Sequence, residues 1–164
     1  MPNVFSMGHT TEVVQIEIAA RVDHELVEAL GRLVPQLGTG APIPTAEHIR
    51  EIVRSPSTTL LLARDGADGC RIVGTLTLII FRLGTGLRAW IEDVVVDSAA
   101  RGKGIGEALN REALEIARSR GAATVDLTSR PAREAANRLY QRLGFRRRET
   151  NVYRYAFEEG DREL

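Results

Sequence analysis

Between Trp90 and Leu109 the apolar pattern changes period, and this stretch constrains the fold more than any other. A strand-like apolar run, Ile91 to Val96, passes through a short connector into Arg101-Gly102-Lys103-Gly104-Ile105-Gly106. From Ile105 the spacing becomes 3.6: Ile105, Ala108, Leu109, Ala113, Ile116 and Ala117 share one face of a helix, and Gly121 stands where a C′ glycine belongs. A strand that runs through glycines straight into a helix points to a mixed α/β arrangement around one sheet. Glycines at such a junction let the backbone come close to a ligand, and the first helical N–H groups point outward unpaired. The helix dipole adds positive potential, so the junction suits a phosphate or pyrophosphate. The G-x-G-x-x-G fingerprint and the G-x-x-x-x-G-K-[ST] loop both fail on spacing. The plainer reading is a glycine turn with a solvated Arg101 and Lys103.

The rest of the chain fits the same class. Thr11 to Ala19 alternates, with Val13, Ile16 and Ile18 among polar residues and a slip near Val14. Asp23 precedes Leu26, Val27, Leu30, Leu33 and Val34, an amphipathic helix with an acidic N-cap that Pro35 ends. Leu37 to Ile43 is a loop, and Thr45 caps a short helix with Ile49, Ile52 and Val53 on one face. Thr58 to Arg64 and Cys70 to Phe81 read as strands joined by the turn Asp65-Gly66-Ala67-Asp68-Gly69, and Arg88 to Val96 follows a second turn at Gly84-Thr85-Gly86. After the junction helix come a strand at Ala122 to Thr128 and a helix at Ala132 to Leu143, with Ala135, Ala136, Leu139 and Leu143 inward. Val152 to Phe157 closes as an alternating strand before an acidic tail, and Phe145 to Glu149 is a further strand candidate. The expected order is β-α-α-β-β-β-α-β-α-β.

Composition narrows the function classes. At 164 residues the chain is expected to be one domain, 1–164, able to bury a sizeable core. Lys+Arg and Asp+Glu are both 22, which argues against a nucleic-acid partner, whose binding draws on excess positive charge. No apolar run approaches the roughly 18 residues of a membrane span, and Met1 to Thr10 lacks the pattern of a secretory signal, so no membrane and a cytoplasmic location are expected. Cys70 is the only cysteine, and His9, His24 and His48 have no ligand spacing, so no metal site is expected. Arg146-Arg147-Arg148, with Arg138 and Arg142, forms a local basic patch that reads first as a solvated face and second as a contact for phosphate.

Two segments together resemble the GNAT N-acetyltransferase family. Arg101, Gly104 and Gly106 match its coenzyme motif Q/R-x-x-G-x-G/A at a strand-to-helix turn, and Leu139-Tyr140-Gln141-Arg142-Leu143-Gly144-Phe145 is similar to its L-Y-x-x-x-G-F segment. The likeness covers Thr58 to Phe157 and extends more loosely over the N-terminal strand and helices. It implies the GNAT-like acyl-CoA N-acyltransferase fold, an α/β (α+β) arrangement with a mixed, mostly antiparallel central sheet flanked by helices. It also implies acetyl-CoA as cosubstrate and an amine as acceptor.

On that resemblance, Val94, Val95 and Val96 offer main-chain groups to the pantetheine arm. Gly102, Lys103, Gly104, Ile105 and Gly106 offer N–H groups to the pyrophosphate, with Arg101 and Lys103 as nearby charge. The family often carries an asparagine seven residues before the tyrosine. Arg133 stands there, and Asn137, one helical turn on, is the substitute or else a solvated residue. Tyr140 is the acid candidate, since a phenol near the thioester sulfur can protonate the departing thiolate; the alternative is a core aromatic with its hydroxyl capped by backbone.

Glu92 and Asp93 are adjacent, so simple alternation sends them to opposite faces. Glu92 is the preferred base and Asp93 the second carboxylate of the site, as in relatives that acetylate small amines. Trp90 and Thr128 stand where histone-type and N-terminal acetyltransferases carry glutamate, which weighs against peptides. The readings are an N-acetyltransferase for a primary amine of a small molecule, working in a ternary complex; a non-catalytic acetyl-CoA sensor; or a peptide or protein acetyltransferase. The closing strand leaves a homodimer open.

Overall fold

The computed structural model describes residues 3–5, 14–38, 40, 42–66 and 70–157. The chain divides into two units, Met1–Arg130 and Pro131–Leu164. The first is built on a six-stranded sheet in which chain order is also spatial order: β1 (Asn3–Phe5), β2 (Val14–Ile18), β3 (Thr58–Asp65), β4 (Arg71–Leu83), β5 (Gly86–Val96) and β6 (Val125–Leu127). Neighbours from β1 to β5 are antiparallel, while β6 joins β5 in parallel. A parallel neighbour needs a crossover, and the junction helix α3 (Ile105–Ser119) supplies it.

Two helices precede β3. In α1 (His24–Leu33) the Asp23 carboxylate accepts from Leu26 N at 3.0 Å, and in α2 (Ala46–Arg54) the Thr45 hydroxyl accepts from His48 N at 3.3 Å, as the sequence predicts. Pro35 falls in a 3₁₀ turn, Val34–Leu37, that tightens the end of α1. On one face of the sheet Leu60, Leu62, Ile72 and Val95 meet Leu26, Ala29, Leu30, Leu33 and Ile49 of α1 and α2. The other face carries Leu61, Ala63, Leu76 and Leu78, and there α3 buries Ile105, Ala108, Leu109, Ala113 and Ala117. With both faces covered, β3 reads as an unbroken apolar run rather than an alternation. Gly74 makes the close approach of α3 workable: a Cβ there would lie 3.1 Å from Val95 O and 3.2 Å from both Ile105 and Leu109 side chains.

Several expectations are corrected. In β2 the inward residues are Val14 and Ile16, and Ile18 is exposed, so the slip at Val14 decides the phase; Val13 lies outside the described residues. The three-residue β1 is an addition, and β6 is shorter than Ala122 to Thr128. The turn residues Ala67 to Gly69, His9 and the acidic tail also lie outside the described residues.

In the second unit, α4 (Glu134–Arg142) is shorter than Ala132 to Leu143, and Gly144 leaves it at φ 94°. None of its residues is fully buried: Ala136, Leu139 and Tyr140 are half-buried and Ala135 is exposed. Neither Phe145 to Glu149 nor Val152 to Phe157 forms a strand. Alternation supplies a strand's pattern, but a strand also needs a neighbouring edge to bond.

Candidate active site

The centre of the site is an irregularity that alternation cannot foresee. On β4 two steps separate Thr77 from Thr75, while on β5 three separate their partners Glu92 and Val95. The extra residue makes a β-bulge, and Asp93 takes φ 49° within it, a left-handed conformation that aspartate tolerates better than most residues. The phase of β5 flips across it. Ile91 pairs with Leu78 on the α3 face, whereas Val95 packs into the α1 and α2 cluster. The expectation that Glu92 and Asp93 alternate simply therefore fails, and both are exposed. Glu92 accepts a hydrogen bond from Trp90 Nε1 at 2.7 Å, which ties its carboxylate to the indole two residues away.

β6 pairs with β5 only from Ala89 to Ile91. Among the described residues, β5 has no strand neighbour on its outer edge beyond Ile91, so there the stretch from Glu92 to Val96 presents a main-chain edge. Of the three valines assigned to this edge, Val95 turns its side chain into the core, leaving only backbone to offer.

The chain then enters the glycine segment through a clamp. Asp97 accepts from Ala99 N at 3.2 Å and starts a 3₁₀ turn, Ser98–Ala100. The Arg32 guanidinium, on the last turn of α1, bonds to the other Asp97 oxygen and to Ile72 O at 2.7 Å, and Gln36 Oε1 accepts from Ser98 N at 2.9 Å. Burial pushes the Asp97 carboxyl up, but the Ala99 N–H, Arg32 and Gln36 outweigh it and hold the group below its usual 3.8. Sequence reading missed Arg32 and Gln36, because nothing local in α1 or the 3₁₀ turn after it reveals a partner some 60 residues away.

Gly102 and Gly104 take φ 81° and 77°, both left-handed. A Cβ at Gly102 would meet nothing within 4 Å, so the segment is open on that side. Gly104 is the N-cap of α3 and brings no capping side chain, which leaves the first N–H groups of a 15-residue helix for an anion. Ile105 is buried and contributes only its main chain; Gly106 lies in the first turn. Arg101 is exposed, its Nε 3.4 Å from Val96 O. Lys103 is not simply solvated: its Nζ donates to Asp65 Oδ2 at 3.1 Å, and that carboxylate's side chain is 2% exposed. Asp65 and Lys103, with Arg71, Asp97 and Ala100, line a cleft of about 280 Å³ beside the glycine segment.

Within the second unit, Tyr140 is half-buried on α4 with its ring edge-on to Phe145, centroids 5.8 Å apart. Burial pushes its phenol above the usual 10.0, with Arg133 pulling weakly the other way, so the hydroxyl keeps its proton at neutral pH. Asn137, half-buried, places its Nδ2 3.4 Å from Pro131 O, and its N–H bonds to Arg133 O at 2.9 Å. The spacing of Asn137 and Tyr140 puts them on one face of α4. Arg133 stands at the N-cap position, and Arg146, Arg147 and Arg148 are exposed.

Among the described residues no cluster of metal-binding side chains occurs, and no helix is long and apolar enough to cross a membrane. A model of the acetyltransferase (GNAT) family matches residues 26–145. Glucosamine 6-phosphate N-acetyltransferase of Trypanosoma brucei brucei is 33% identical over 147 residues, spanning 87% of this chain and 97% of that protein. A transcriptional regulator from Bacillus halodurans C-125 superposes with a TM-score of 0.70 at 31% identity, over 87% of this chain and 99% of that one. An acetyltransferase from Trypanosoma brucei does so with a TM-score of 0.68 at 29% identity, over 87% of this chain and 99% of that one.

Proposed function

The chain belongs to the GNAT acetyltransferase family and is an acyltransferase, and we propose that it moves an acetyl group from acetyl-CoA to the primary amine of a small molecule. The observation that carries this reading is the bulge at Asp93 with the strand edge beyond it, which leads directly into the glycine-capped start of α3. An extended pantetheine arm carries amides that a strand edge can bond, and a pyrophosphate suits the N–H groups from Gly102 to Gly106.

In the proposed reaction both substrates are bound together. Glu92, directly or through water, takes a proton from the ammonium, and the neutral amine attacks the thioester carbonyl carbon. A backbone N–H at the end of β5 steadies the tetrahedral oxyanion. The C–S bond then breaks, the N–C bond stays, Tyr140 gives its proton to the thiolate, and the surplus proton on the new amide nitrogen leaves through water to the phenolate. Burial keeps the Tyr140 phenol protonated at neutral pH, so the proton is present on the hydroxyl when the thiolate leaves. Asn137 is assigned to the coenzyme on its spacing from Tyr140, in place of the asparagine that Arg133 replaces.

The Trypanosoma relative's name supports an amino-sugar phosphate as the first acceptor to try. A thiol-release assay with acetyl-CoA across hexosamine 6-phosphates, free amino sugars, aminoglycosides, polyamines, amino acids and short peptides tests the proposal. Turnover is expected with small amines, led by amino sugars. Turnover with peptides alone would replace the acceptor class, and coenzyme binding without turnover on any amine would leave a sensor.

A further inference from the structure

Glu92 is exposed and is the last residue of β5 to pair with β4 before the bulge. A glutamate in such a place ordinarily samples many rotamers, and this one is held. Trp90 Nε1 donates to Glu92 Oε1 at 2.7 Å, the short end of the range for N–H to oxygen and typical of an ionised acceptor. The donor is itself fixed. Trp90 is half-buried in the middle of a cross-strand row, paired with Ile79 of β4 on one side and Asp126 of β6 on the other. Side chains so paired share a face of the sheet and confine one another. Glu92 stands one step past the end of β6: Thr77 faces it from β4, and the last β6 pair joins Leu127 to Ile91. Among the described residues its second oxygen, Oε2, makes no hydrogen bond.

We propose that Trp90 is a positioning residue for acetyl transfer, its indole N–H holding Glu92 Oε1 so that Oε2 stands ready to take the proton of the bound ammonium. The inference rests on Glu92 being the base. In the step, one N–H bond of the ammonium breaks, an O–H bond forms at Oε2, and the freed lone pair on nitrogen makes the attack. The indole keeps its own proton throughout, and because it only donates it cannot compete for the one being moved. A base held in one orientation is within reach of its proton in more of the bound complexes, so the gain falls on kcat and leaves coenzyme binding alone. This gives the departure at position 90 a purpose: in place of a carboxylate there, the strand carries the donor that orients the carboxylate two residues on.

Replacing Trp90 by 3-benzothienylalanine tests this, since the isostere keeps the shape of the ring and removes only the N–H. Trp90 is the only tryptophan, so loss of indole fluorescence confirms the replacement. With the amine that the parent turns over fastest in the panel above, kcat should fall by about three- to tenfold, while the KM for acetyl-CoA and the melting temperature stay at their parent values. Glu92→Gln should lower kcat by about 100-fold. Placed on Glu92→Gln, the isostere should cost nothing further, because Trp90 acts only through that carboxylate. Equal losses in both backgrounds would overturn the proposal by giving Trp90 another target. A parent rate for the isostere beside a slow Glu92→Gln would overturn it too, and would leave the base standing. A parent rate in Glu92→Gln would instead remove the base, and a parent that turns over no amine would remove the enzyme; either takes the positioning role with it.

Discussion

The glycine junction and the tyrosine helix carry the two halves of the family likeness, and they are held in opposite ways. At the junction α3 buries five apolar residues against the sheet, Gly74 admits its first turn, and the preceding turn is gripped by Arg32 of α1 and Gln36 of the 3₁₀ turn after it. The backbone that would meet a phosphate is therefore set before any ligand arrives. α4 buries no residue completely, and Tyr140 is placed by its own helix and by Phe145. The contrast teaches that damage at the junction should appear as lost binding, and damage on α4 as lost turnover.

The strongest way to break that division is Gly104→Val. A branched residue at φ 77° costs about 1–3 kcal/mol of backbone strain and displaces the N–H groups at the start of α3. Acetyl-CoA affinity measured by calorimetry should fall by more than about 100-fold, a loss of roughly 3 kcal/mol, while far-ultraviolet dichroism still reports a folded chain. Normal binding by a folded variant would move the phosphate site elsewhere.

Next in size is Tyr140→Phe, expected to lower kcat by up to about 100-fold with little change in the KM for acetyl-CoA. The phenol's proton matters once the thiolate is leaving, so its loss falls on turnover. Full activity with a lowered melting temperature would return Tyr140 to a packing role and erase the contrast.

The smallest effect sharpens the comparison. Asp97→Asn keeps the shape of the clamp and removes the charge that faces Arg32. A several-fold rise, about three- to tenfold, in the KM for acetyl-CoA at unchanged kcat is the expected result. The clamp also has a pH signature. Asp97 titrates below its usual 3.8 in the folded chain, so its contribution to stability is present above about pH 4 and fades as pH falls through the lower, folded value. Acid unfolding of the parent should contain that component, and Asp97→Asn should lack it.

Much of the fold was legible in local pattern. Asp23 and Thr45 cap their helices, Gly121 ends α3 at φ 81°, and the strands β3 to β5 lie where the apolar runs predict. Capping, turn chemistry and periodicity act within a few residues, so a single sequence exposes them. The misses share the opposite property. The bulge at Asp93 depends on how β4 and β5 count against each other, the Arg32–Asp97 and Lys103–Asp65 pairs join residues 65 and 38 positions apart, and Val152 to Phe157 has a strand's pattern but is not a strand.

The candidate site divides the same way. The glycines in Arg101-Gly102-Lys103-Gly104-Ile105-Gly106 were named from residues alone, because backbone freedom belongs to the residue itself, whereas Tyr140 came from the family resemblance of Leu139 to Phe145. Only the tertiary structure decided that Lys103 answers a buried Asp65, that Val95 and Ile105 can offer nothing but main chain, and that β6 stops pairing with β5 at Ile91. Burial and pairing are properties of what the rest of the chain brings alongside, and contacts across dozens of residues leave no local mark in the sequence that makes them.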